Sequence, residues 1–148
     1  MLTLRLIFAV IVGVIGGSII NMGLVILGSA VIPPPPGVNV ASAESLRAAA
    51  DLLGPQHFLF PFIAHAGGTL TGCLIACWTS PRLRNVAALF TGCVFLLLGI
   101  VNAFLIPAPL WFVALDLPLA YLPMAVLALI IHRRLLEADR RNSRRNSQ

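Results

Sequence analysis

Apolar residues run almost unbroken through four stretches of the chain, about 6–31, 57–79, 86–106 and 109–131, and polar residues gather between and after them. Each stretch reaches the roughly 20 residues that a helix needs to cross the hydrocarbon layer of a bilayer. The pattern predicts an all-α integral membrane protein, a bundle of four transmembrane helices within residues 1–132, followed by a basic tail over 133–148. Between the first two stretches, Pro33–Pro36 and Gly37 cannot enter a helix interior and read as an extended spacer. Ser42 then caps a short amphipathic helix, apolar at Leu46, Ala50 and Leu53, that Gly54-Pro55 ends. Glu44, Arg47 and Asp51 are spaced on it for exposed ion pairs.

Two stripes of small residues stand out within the apolar runs. Ala9, Gly13, Gly17 and Asn21 recur every fourth residue in the first, as do Ala64, Gly68, Gly72 and Ala76 in the second. Four-residue spacing keeps such a stripe on one helix face, where another backbone can approach. Gly13, Gly17, Gly68 and Gly72 are therefore expected at helix–helix contacts, within the chain or across a homo-oligomer.

Composition removes any room for a separate soluble domain. The 148 residues are 59% hydrophobic and only 10% charged, with a mean hydropathy of +0.96, against about a quarter charged in ordinary soluble domains. All ten basic residues are arginine, and nine of them (Arg5, Arg82, Arg84 and the six from Arg133 onward) fall on one side of the alternating spans. The excess of positive charge marks the cytoplasmic side. Both termini and the 80–85 turn are thus expected inside, with 32–56 outside. The net charge of +5 is accounted for by topology and by attraction to anionic membrane lipid, so no nucleic-acid partner is expected. The first apolar run exceeds the 7–15 residues of a secretory signal and reads as a retained helix. Cys73, Cys77 and Cys93 fall within spans and read as small packing residues.

The candidate chemistry is one carboxylate. Asp116 lies inside the fourth span, followed by Pro118 and Pro123, each of which removes a helical donor and frees a carbonyl. An aspartate at mid-span costs about 2.5–3.5 kcal/mol on insertion scales, which the apolar residues of that span outweigh. Counted at 1.5 Å per residue, Asp116, His65, Asn102 and Asn21 all lie about 6–16 Å from the outer ends of their helices. They are expected to converge on one outward-facing polar pocket, with His65 and Asp116 sharing a proton or forming an ion pair. Tyr121, five residues beyond Asp116, points elsewhere on a regular helix and reads as packing. No catalytic motif, metal-ligand cluster or cofactor-binding loop is present in the sequence, so no catalytic residue, metal or cofactor is assigned.

Two functions follow. In one, the pocket binds or helps to move a proton, a small solute or a lipid-like ligand; in the other, the chain is a non-catalytic assembly subunit that binds a membrane-protein partner. The strings SIINMG, IPPPPGV, HFLFPFIAHAGGTLTG and IPAPLWFVALDLPLAYLPMA resemble those of a family of small four-helix bacterial inner-membrane proteins without assigned chemistry. That resemblance implies a bacterial inner-membrane location and transfers no site residue. The chain departs from small multidrug transporters, which share its helix count, in lacking an acidic residue in the first span.

Overall fold

The computed structural model describes residues 1–38, 42–48, 52–106 and 108–146. Among them there is no strand, and four helical stretches are long and apolar enough to cross a membrane: Leu2–Val31, Pro55–Thr79, Pro81–Leu105 and Leu110–Arg145. The elements are α1 (Leu2–Val31), α2 (Ala43–Ala48), α3 (Leu59–Thr79), α4 (Arg84–Leu105), α5 (Leu110–Leu119) and α6 (Leu122–Arg145). Tight 3-10 turns at Pro55–Phe58 and Pro81–Leu83 lead into α3 and α4.

At the centre stands α3, with α1 along one side and α4 and α6 packed on it and on each other. What lets α1 come close is the absence of Cβ atoms at the crossing. A methyl group on Gly13 would lie 2.6 Å from the Gly72 carbonyl oxygen, and one on Gly68 2.8 Å from that of Gly17. Backbone meets backbone at both points, so the two stripes form one intramolecular seam. The ring of Phe95, from α4, caps this seam, and a methyl on Gly72 would stand 2.8 Å from it. Behind the seam, Cys73, Cys77, Ala88, Ala125 and Ala128 are fully buried where α3, α4 and α6 meet. The Cys73 thiol donates to the Ala88 carbonyl at 3.3 Å. Cys93, by contrast, is exposed and does not pack as expected.

Two polar contacts tie one end of the bundle, which carries Arg5 and Arg133. The Arg5 guanidinium donates to the Thr79 carbonyl at 3.2 Å, and that of Arg133 to the Asn85 side chain at 3.3 Å. At the opposite end, Ser42 caps α2: its hydroxyl accepts from the Ser45 amide at 3.1 Å, while the Ser45 side chain accepts in return from the Ser42 amide. The ion pairing expected of Glu44 with Arg47 and Asp51 lies outside the described side chains. His57 fastens this loop to α3, its Nδ1 facing the Gly54 carbonyl at 3.1 Å and its Nε2 that of Pro33 at 3.3 Å.

The fourth span departs from expectation twice. It is a broken rod: α5 stops at Leu119, Ala120 and Tyr121 bend, and Tyr121 adopts φ −120°, ψ −80° before α6 begins. Pro123, in the first turn of α6, has no N–H to return to Leu119 and its ring crowds that carbonyl, so the helix breaks ahead of it and restarts at Leu122. The second departure is the tail, whose end reads as unstructured polar sequence yet continues α6 to Arg145.

Candidate functional site

The helix break is what assembles the site. Asp116, in the last two turns of α5, is only 4% exposed. His65, in the second turn of α3, places Nδ1 2.9 Å from each of its carboxylate oxygens. Tyr121 lies in the bend and donates its hydroxyl to Oδ2 of Asp116 at 3.1 Å. Its ring also stacks on that of His65, centroids 5.9 Å apart. Tyr121 is therefore a member of the polar cluster, which corrects its reading as packing. On an unbroken helix a residue five positions on is rotated about 140° away; the bend brings it back. Gly99 on α4 makes room for it, because any Cβ there would strike the Tyr121 hydroxyl.

A cavity and a groove meet at this cluster. A cavity of about 180 Å3 lies beneath α2 and the loop that follows it, walled by Leu46, Leu53, Phe58 and Phe112, with His65 and Asp116 in its lining. It adjoins a second of about 190 Å3, with which it shares Val25, Leu46, Leu53, Phe58 and Pro61. A groove of about 310 Å3 reaches the cluster from another direction, lined by Ser18, Asn21, His65, Asn102 and Tyr121. His65, Gly99 and Asn102 border both this groove and the first cavity. Of the four residues expected to converge on one pocket, His65 and Asp116 are in contact, Asn102 borders both groove and cavity, and Asn21 lines the groove but not the cavity that holds Asp116.

Asp116 is met by Nδ1 of His65 and by the Tyr121 hydroxyl, while the Nε2 of His65 and the side-chain amides of Asn21 and Asn102 have no protein partner among the described residues. No arginine is among the described residues that line the groove or the first cavity. No group of three or more His, Cys, Asp or Glu side chains suited to a metal ion is present among the described residues.

A second polar point was not legible in sequence. His132, on α6 toward the arginine-bearing end, is 1% exposed, and neither ring nitrogen has a protein partner. The edge of Trp78 packs against it, centroids 5.7 Å apart. The hydroxyls of Ser80 and Thr69 are buried and unpartnered in the same way. A histidine followed by two arginines (His132, Arg133, Arg134) reads as the start of a solvated tail; only the close approach of α3 buries it.

The fold and site thus define an all-helical bundle with four helices suited to a membrane and one buried His–Asp–Tyr cluster. No family model, curated protein or solved structure matches the chain.

Proposed function

We propose that the chain is a membrane protein, N and C termini in the cytoplasm, whose pocket opens toward the outer side and binds or helps to move a proton, a small solute or a lipid-like ligand. The supporting observation is that His65, already held by Asp116 at 2.9 Å, borders an apolar cavity roofed by Leu46 and Leu53. A pair that served only to join α3 and α5 has no need of such a cavity; an apolar chamber with a few convergent polar groups is the usual form of a small-molecule site.

A second reading is a subunit that assembles with another membrane protein. Favouring it is the side of α1 turned from the bundle, where Ile7, Ile11, Ile15, Ile19 and Ile26 are exposed. The two readings part on purification, since a subunit is stable only with its partner.

The test compares the wild type with the double variant Asp116→Leu, His65→Leu, which removes both partners together and leaves neither charge unpaired. Native mass spectrometry after mild solubilisation, with proton flux in liposomes, is read beside thermal stability in detergent. A well-folded double variant that lacks a small-molecule adduct or flux present in the wild type is the expected result. Identical adducts and flux in a well-folded double variant would remove the pocket reading.

A further inference from the structure

The groove between α1 and α4 carries the pocket reading further, to the chemistry of the ligand and its way in. Ser18, Met22, Leu98 and Asn102 line it and are themselves exposed at the bundle surface. Its mouth therefore faces sideways, about half-way along α1, where a membrane-spanning bundle meets hydrocarbon. Three side chains that lipid tails cannot satisfy, Ser18, Asn21 and Asn102, line this groove together with His65. An amide left unpaired in hydrocarbon is costly. A polar head that enters from the membrane side gives these groups partners beside the cluster.

Charge balance selects the head. Among the described residues the ion-pair partner of Asp116 is His65, and no arginine is among the described residues of either lining. Nδ1 of His65 faces the Asp116 carboxyl group, which leaves Nε2 as the ring nitrogen open to a ligand. The Asn102 amide supplies a hydrogen-bond donor at the junction of groove and cavity. A head that accepts hydrogen bonds without adding charge suits these groups, since the described lining of the groove offers amides, hydroxyls and an imidazole.

We infer that the groove between α1 and α4 admits an uncharged, lipid-soluble molecule with a carbonyl head, which docks on His65 and Asn102 while its apolar remainder fills the cavity beneath α2. This rests on the pocket reading and adds the ligand class and a lateral route.

The test uses the full chain in detergent and four probes matched in chain length: methyl laurate, laurate, dodecyltrimethylammonium and dodecane. Methyl laurate is expected to raise the melting temperature saturably and more than the other three, and its carbonyl infrared band to move to lower frequency on binding. Asn102→Leu should weaken methyl laurate roughly tenfold, the equivalent of one good hydrogen bond, and reduce the band shift. It leaves the His65–Asp116 pair intact, so folding is not at stake; His65→Phe should abolish the shift where that variant folds. Tighter binding of laurate or the cation, or an equal effect of dodecane, would overturn the carbonyl head and leave the pocket standing. Silence from all four probes would overturn the inference as a whole, while the adduct and flux comparison of the double variant still decides the pocket reading by itself.

Discussion

The Tyr121 hydroxyl donates to the Asp116 carboxylate at 3.1 Å although Asp116 lies within α5 and Tyr121 in the bend that follows it. The contact exists because α5 ends before Tyr121 and because Gly99 offers no Cβ to obstruct it.

Gly99→Ala should therefore act through Tyr121. The added methyl displaces the hydroxyl from Asp116, with an expected cost of about 1–3 kcal/mol from overpacking and the lost hydrogen bond. In a Tyr121→Leu background the same substitution should be close to neutral. Melting curves in detergent for the four members of this cycle measure the coupling, and equal costs in both backgrounds would show that Gly99 matters for some other reason.

The α1–α3 seam makes a sharper distinction among glycines that look alike in sequence. Gly17→Ala drives a methyl into the Gly68 carbonyl and the Phe95 ring, whereas a methyl on Gly23 meets nothing within 4 Å. A loss of about 1–3 kcal/mol is expected at Gly17 and no loss, or a helix-propensity gain of up to about 1 kcal/mol, at Gly23. Matching melting temperatures for the two variants would mean that α1 does not pack through this face.

His132 offers a substitution that should not hurt. Phenylalanine keeps a ring against Trp78 and removes two buried nitrogens without a protein partner. Stability is expected to stay level or to rise by about 1–2 kcal/mol, since a buried unpaired polar group is costly. A drop of more than about 1 kcal/mol would show that the imidazole makes an essential polar contact.

Orientation and the loop can be read with one protease. With the termini inside, trypsin added to spheroplasts should cut at Arg47 alone, and inside-out vesicles should be cut after Arg82, Arg84 or the tail arginines. The opposite pattern would reverse the topology. His57→Leu removes the link from α3 to Pro33 and Gly54, so cleavage at Arg47 should become severalfold faster.

What could be read from the sequence was whatever depends on one helix at a time. Hydrophobic length set the four spans, and four-residue spacing set the Gly13–Gly17 and Gly68–Gly72 faces that do meet. Equal depth brought His65 to Asp116. Tyr121 escaped because its place depends on a break; the available signal was Pro123, which cannot return a hydrogen bond to Leu119 and so favours a break ahead of it. His132 escaped because burial at the end of an apolar run is decided by the neighbouring helices, not by the local string. The exposure of Cys93 has the same origin: a rotation of about 100° turns it away from the packed face of α4 that holds Gly92.

The bend at Tyr121 also has a mechanical side. From there α6 runs without interruption for 24 residues, Leu122–Arg145, a rod of about 36 Å. One end adjoins the tyrosine that touches Asp116; the other carries Arg144 and Arg145. A tilt of about 10° at the bend would sweep the arginine end through roughly 6 Å at that length. Over a rod of this kind, a movement of a fraction of an ångström at the carboxylate becomes a displacement as large as a side chain at the far end, and the bundle has the geometry of a lever with its fulcrum at the site.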